Sequence, residues 1–365
     1  MHRDWNYYPD TLEPHGQICQ ISETMEQSPS IAMDLNGLSI LNPNPKRLSG
    51  PSLLHDLVCA TSASGHPAIA SLSEDGSQHA MCYEELHQAA DNLVSRISET
   101  LGQTIGTSQA VIPLLIPQGP DLYISLLAIL KAGGAFCPLN LDAPEERVRF
   151  ILEDVSAKIV LTTSEFASKI PTEDGRTVLL VDGLEQVRGR NTCSDTSAPA
   201  QDSSLAYIMY TSGSTGTPKG VGVSHSAATQ SLLSHNRHIP DFDRFLQFAA
   251  PTFDVSVFEI FFPLSRGRTV VTCSRRKLLN DLPGVIRTLN VDACELTPTV
   301  AGSLLRSRAS VPSLKLLLTI GEMLSKPVIE EFGGTPEHPS ILWAMYGPTE
   351  AAIHWYDVLL ELPLV

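Results

Sequence analysis

The chain has 365 residues, 42% hydrophobic and 18% charged, with mean hydropathy of +0.03, which is core material for two packed lobes rather than one compact domain. Forty acidic against 25 basic side chains give a formal charge of −15. That balance excludes a general phosphate-backbone binder, so no nucleic-acid partner is expected and an anionic ligand must be held locally. No apolar run is long enough to span a membrane, and the N-terminus MHRDWNYYPD lacks the order of a signal peptide, so the chain reads as cytoplasmic and free of the membrane. Seven cysteines are widely spaced with no C-x-x-C, which predicts isolated core thiols rather than disulfides or a zinc site.

Residues 1–50 are rich in Pro, Ser, Asn and Gln without a sustained period, and are expected to form a mobile leader. From Glu84 the apolar residues Leu86, Ala90, Leu93, Val94, Ile97 and Leu101 recur at helical spacing. Then elements alternate: a strand over 110–116, a helix over 121–134 stopped by Gly133 and Gly134, a helix over 144–155 begun at Pro144, and strands at 158–163 and 177–181. Residues 184–204 turn polar and aperiodic, an exposed connection. A second series follows: LAYIMYT (205–211), the strand RFLQFA (244–249), the helix SVFEIFFPL (256–264), and the strands TVVTC, VDACEL, LKLLLTI and ILWAM, separated by helical stretches RKLLNDLPGVIRTL and TVAGSLLRSR. Alternation of this kind predicts an α/β protein with parallel crossovers, divided roughly into 51–200 and 201–365.

The richest stretch is Tyr210 to Gly220, YTSGSTGTPKG, where a buried strand empties into a loop. Gly213 and Gly216 let backbone N–H groups approach phosphate oxygens. Thr211, Ser212, Ser214 and Thr215 add hydroxyl donors, and Lys219 adds a mobile point charge. A flexible linker is the plain alternative, but a linker rarely follows an apolar strand or ends in Pro-Lys-Gly. The loop is not a Walker A motif, because Lys219 stands between Pro218 and Gly220.

This loop resembles the signature of the adenylate-forming (AMP-binding) superfamily, in the version LAYIMYTSGSTGTPKGVGVSH found in adenylation domains of nonribosomal peptide synthetases. Four segments are similar to further motifs of that family and stand in its order: MCYEELHQAADNLVSRI (81–97), ILKAGGAFCPLNLDAP (129–144), FDVSVFEIFFPL (253–264) and AMYGPTEAAIH (344–354). The Phe-Asp-x-Ser form favours amino-acid-activating members. The run AAIH after the glutamate resembles fungal siderophore (ferrichrome-type) synthetases.

The resemblance implies two packed α/β subdomains of the family's large N-terminal part. It also implies a reaction in which a carboxylate attacks the α-phosphate of ATP, giving an acyl-adenylate and pyrophosphate, before the phosphopantetheine thiol of a carrier protein takes the acyl group. Thr211, Ser212, Thr215 and Lys219 would contact phosphates, with Gly213, Ser214 and Gly216 completing the loop. Glu350 would hold Mg²⁺, a hard cation suited to carboxylate oxygens. Thr349 would lie near the α-phosphate, Tyr346 beside the adenine, and Gly321 and Glu322 in an adenine-binding turn. The family commonly has Asn where this chain has Ala344, so one amide to the adenine edge is missing. The plain alternatives are a turn at Tyr346-Gly-Pro and a helix N-terminal acid at Glu350.

Asp254 would pair with the substrate's α-ammonium; by spacing alone it reads equally as a helix N-cap. Val255, Phe258, Glu295, Leu318, Ile320, Met345, Ile353 and His354 would line an amino-acid pocket. Most are apolar, as such pockets are. Glu295 is the exception, either facing a polar or cationic substrate group or standing at a solvated strand end.

The family continues past Tyr-Gly-Pro-Thr-Glu with a β-barrel, a ribose-binding Thr-Gly-Asp segment and a lid bearing a reactive-site lysine. Those segments are not found here, so the expectation is a truncated, weakly active or inactive adenylation domain, or a gene boundary set too early. The competing readings are an acyl- or aryl-CoA ligase fragment, in which Asp254 meets no ammonium, and a noncatalytic nucleotide-binding or degenerate protein.

Overall fold

The computed structural model describes residues 47–59, 65–101, 109–171, 175–184, 200–211, 218–335 and 339–356. Most of the expected leader and of the polar connection after residue 184 lies outside them. The part of the leader that is described is held: Arg47 donates to Asp202 at 2.8 Å, and Leu48 N–H donates to Gln230 at 2.7 Å.

Two mostly parallel sheets carry the fold. The six-stranded sheet has the order β6-β5-β3-β4-β7-β8, in which β3 is Val111–Leu115, β4 Ala135–Pro138, β5 Ile159–Thr162, β6 Thr177–Leu180, β7 Leu205–Thr211 and β8 Lys219–Ser224. The larger sheet has the order β14-β13-β12-β11-β9-β10-β1-β2. Its strands are β1 Ile69–Leu72, β2 Gln78–Met81, β9 Arg244–Leu246, β10 Thr269–Cys273, β11 Ala293–Leu296, β12 Leu316–Thr319, β13 Leu342–Tyr346 and β14 Trp355–Tyr356. The sheets do not divide the chain at residue 200. The β1–β2 hairpin crosses to lie beside β10, with Ile69 opposite Val270, and β7–β8 closes the six-stranded sheet beside β4. The expected sequential halves therefore become interleaved ones.

Period-two alternation sorts the side chains of each strand into layers. Ile112 and Leu114 of β3 face a central cluster shared with Val270 of β10, while Val111 and Leu115 face an outer cluster and Val271 faces another. The central cluster is filled by helices α1 (Leu54–Cys59), α2 (Tyr83–Leu101), α3 (Pro120–Lys131), α5 (His225–His235) and α6 (Val255–Ser265). Helix α4 (Glu145–Asp154) covers the far side of the smaller sheet, and α7 (Arg275–Asn280), α8 (Leu282–Thr288) and α9 (Lys326–Phe332) cover the far side of the larger one. The result is two α/β units sharing a helical middle layer. Helix α2 buries Leu86, Ala90, Leu93, Val94 and Ile97 as its spacing requires. Helix α3 ends where Gly133 takes a left-handed φ of 79°.

Three expectations change. The stretch 275–288 is two helices, because Asp281 interrupts it and caps the second by accepting from Gly284 N–H at 2.9 Å. The stretch 299–308 is not a regular helix: Pro298–Val300 runs into a wide turn over Ala301–Leu305 that stops at Arg306, whose φ is 64°. Of the cysteines, Cys137, Cys273 and Cys294 are buried as expected, but Cys82 is exposed; Cys19, Cys193 and the Cys59 side chain lie outside the described residues. Among the described residues, no helix is long and apolar enough to cross a membrane.

Candidate active site

The glycine-rich stretch joins two antiparallel strands, so it is a hairpin connection. Thr211 at the end of β7 lies opposite Lys219 at the start of β8, and both face the open end of that ladder. Lys219 is exposed. Ser212, Gly213, Ser214, Thr215 and Gly216 fall outside the described residues. The second motif reaches the same strand: the single turn Thr349–Ala351 lies against β8. On that turn Glu350 is exposed and Thr349 half-buried.

Tyr346 is 68% exposed at the end of β13. The turn after β12 needs a glycine, because Gly321 has a φ of 85° and little stands in front of it. Glu322 is held sideways: its carboxylate accepts from Thr299 N–H at 3.0 Å and from the Thr299 hydroxyl at 2.5 Å. These bonds lower its pKa. They position the turn that follows β12, the strand paired with β13, which ends in Tyr346.

Asp254 settles one of the two readings that spacing left open. It occupies the residue before α6 but makes no side-chain cap. Its carboxylate instead accepts from the backbone N–H of Ile353 at 3.2 Å, across 99 residues of chain. It is 5% exposed, and burial pushes its pKa up to about 6, with His354 and the Ile353 N–H acting in the opposite direction. The N–H is presented because Ala352 and Ile353 both take positive φ, 57° and 76°. For a β-branched residue that conformation is strained.

Beneath Asp254 lies a buried aromatic and titratable cluster. Phe258 stacks on Phe262 at 4.5 Å and meets the edge of His354 at 4.7 Å. His235, at the end of α5, packs against Phe258 and His354; its Nδ1–H donates to the Ser231 carbonyl at 2.6 Å, and burial lowers its pKa to about 4. His354 Nε2 lies 3.1 Å from Glu295 Oε1, both side chains wholly buried. The solvated-end reading of Glu295 is thereby corrected: it sits in the middle of a sheet, with Leu318 beside it on β12. Leu318, Ile320, Met345 and Ile353 are buried in the same cluster, and Val255 packs against its margin.

Two further residues emerge that sequence reasoning did not single out. Glu259, on the same helix as Phe258, accepts from Gln247 Nε2 at 3.1 Å and from the N–H groups of Phe248 and Ala249 at 3.0 and 2.8 Å. Burial, and the nearby Glu295, raise its pKa well above the usual carboxylate range. Gln247 also accepts from the Tyr123 hydroxyl at 3.1 Å, tying α3 to the larger sheet. An acid inside an otherwise apolar helix was the available signal for Glu259.

A family model described as AMP-binding enzyme matches residues 59–363. The chain is 59% identical over 328 residues to nonribosomal peptide synthetase 2 of Gibberella zeae, covering 88% of this chain and 7% of that protein. It is 39% identical over 265 residues to the hydroxamate-type ferrichrome siderophore peptide synthetase of Schizosaccharomyces pombe, covering 70% of this chain and 5% of that protein. It thus spans a small part of the length of the relatives it matches. Among solved structures it is similar in fold to the nonribosomal peptide synthetase FmoA3, at a TM-score of 0.72 and 24% identity over 88% of this chain and 34% of that one. An AMPPNP-bound form of FmoA3 superposes at a TM-score of 0.67 and 25% identity, over 85% of this chain and 33% of that one. The Klebsiella oxytoca NpsA N-terminal subdomain, in complex with 3-hydroxybenzoyl-AMSN, gives 0.66 at 20% identity over 83% of this chain and 74% of that one.

Proposed function

The chain belongs to the AMP-binding enzyme family, and from that premise we propose that it forms the nucleotide- and amino-acid-binding part of an adenylation domain that activates an amino acid for nonribosomal peptide, specifically siderophore, synthesis. The observation that carries the amino-acid assignment is Asp254. A buried carboxylate that declines to cap its own helix, and is held by one backbone N–H, is a counter-ion awaiting an ammonium. An aryl or fatty acid would leave it unpaired, which disfavours the CoA-ligase reading.

The rim where β7, β8 and the Thr349–Ala351 turn meet fits a nucleotide. Lys219 is exposed at the start of β8, with Thr211 opposite it and Thr349 and Glu350 on the turn packed against the same strand. Lys219 and the loop N–H groups would hold the phosphates, Thr349 would hydrogen-bond the α-phosphate, and Tyr346 and the Gly321 turn would bracket the adenine. Glu350 would hold Mg²⁺, which supplies neutralisation of phosphate charge when bound. Adenylation then rests on orientation: Asp254 fixes the ammonium end of the substrate so that its carboxylate points to the rim where the α-phosphate lies. The expected acceptor of the acyl group is the phosphopantetheine thiol of a carrier protein, and the relatives' names support that setting.

Calorimetry with ATP and Mg²⁺ tests the nucleotide part. The wild type is expected to bind, and Lys219→Ala to bind at least about tenfold more weakly, the loss of one charge-assisted phosphate contact. Because Lys219 is exposed, the variant should melt at the wild-type temperature. No heat from the wild type, or equal affinity in the two proteins, would overturn this assignment.

A further inference from the structure

The Glu295–His354 pair points to the class of amino acid that this site takes, an inference that rests on the amino-acid reading above. The two side chains are 0% exposed, with Nε2 and Oε1 3.1 Å apart. Glu295 Oε2 and His354 Nδ1 find no hydrogen-bond partner among the described residues. Enclosed polar atoms left unpaired are costly, and here two adjoin a wall otherwise made of Phe258, Leu318, Met345 and Ile353. A pocket for an aliphatic or aromatic side chain has no use for them.

The two free atoms narrow the class further. Glu295 Oε2 offers an acceptor, and His354 Nδ1 a donor or an acceptor according to the tautomer of the ring. A side chain that both donates and accepts satisfies the two atoms in either tautomer, whereas an ammonium only donates and a carboxylate only accepts. Glu295 Oε1 already has a nitrogen beside it, His354 Nε2 at 3.1 Å, so the pair does not call for a cation on the substrate side chain.

We infer that the site selects an amino acid with an uncharged side chain that both donates and accepts a hydrogen bond, a hydroxyl or a carboxamide. Glu295 Oε2 accepts from that group, and His354 Nδ1 takes up its remaining hydrogen bond. Glu295 and His354 then determine which side chain the site accepts.

Non-hydrolysable aminoacyl-adenylate analogues, with a sulfamate in place of the phosphate, test this by calorimetry on the full chain. The panel is threonyl against valyl, glutaminyl against methionyl, and lysyl. In at least one pair the polar member is expected to bind at least about 100-fold tighter than its apolar partner, since a site built for hydrogen bonding rejects an analogue that lacks it. The lysyl analogue should bind more weakly than that member. In Glu295→Leu/His354→Leu the preference within the pair should fall below about tenfold; should that variant not fold, the wild-type ranking alone decides. Apolar members binding as tightly in both pairs, the lysyl analogue binding tightest, or a preference undiminished in the folded double variant would each overturn the inference while leaving the amino-acid reading standing. Failure of all five analogues to bind would overturn that reading itself.

Discussion

Asp254 is held in a state that costs the fold stability. A carboxyl whose folded pKa is raised penalises the ionised native state. The penalty is absent below the ordinary 3.8, grows as pH rises, and is complete above about 6. Asp254→Asn keeps an oxygen to accept from Ile353 N–H and removes the charge. It is expected to be more stable than the wild type by about 2 kcal/mol at pH 7, a difference shrinking toward zero at pH 4. Urea unfolding across that range measures it, and a gap that does not change with pH would refute the account. The same variant should lose the aminoacyl-adenylate analogues, so stability and binding move in opposite directions. Asp254 and His354 could be named as candidates from the motifs they stand in, and Glu295 as a candidate pocket position. Their arrangement was not legible, because it depends on left-handed backbone at Ala352 and Ile353, residues whose types do not announce it.

At the scale of elements, period and capping chemistry read the helices and strands well where apolar residues recur, as in α2 and α3, and less well where a polar residue reroutes a helix. Asp281 is the example. Its carboxylate caps α8 so closely that a Cβ on Gly284 would stand 1.9 Å from Asp281 Oδ2. Replacing a helical glycine by alanine normally stabilises by about 1 kcal/mol. Here Gly284→Ala alone should give no gain, because the cap must be released. Asp281→Ala alone should cost about 1 kcal/mol, the usual value of an N-cap. In the Asp281→Ala background, however, Gly284→Ala should recover up to about 1 kcal/mol. Thermal unfolding of the four proteins completes the cycle, and simple additivity would show that the cap and the glycine are independent. The stretch between β7 and β8 is the opposite case: its residue types suggested a phosphate loop, but the antiparallel pairing of the two strands was not readable, since the Pro-Lys-Gly stop is compatible with either a helix or a strand after it.

Over the whole molecule, charge and topology each bear on the site. A net of −15 would not oppose the proposed nucleotide binding, because the favourable field it needs is local to Lys219 rather than spread over the surface. The sheets set what can be separated. Because β1 and β2 complete the sheet that carries Glu295, a fragment covering residues 201–365 would bare the edge of β10. It is expected to aggregate rather than unfold cooperatively, whereas the full chain unfolds as a unit. Size-exclusion chromatography and urea unfolding of the fragment check this, and a soluble monomer with a single sharp transition would contradict it. Parallel alternation was readable from the sequence. The crossing of the first hairpin to a distant sheet was not, because β1 carries no local mark of its partner.

That crossing also has a cost in time. Ile69 leaves the ribosome about 200 residues before Val270, the residue it pairs with, and at the usual speed of synthesis the interval is roughly 10–40 s. Throughout it the β1–β2 hairpin has one unsatisfied edge and an apolar face, while the six-stranded sheet, drawn from residues 111–224, is already complete enough to close. Birth order therefore assigns the two halves different fates. The six-stranded sheet assembles first and alone, and the larger sheet waits, unfinished, for its own beginning to be used.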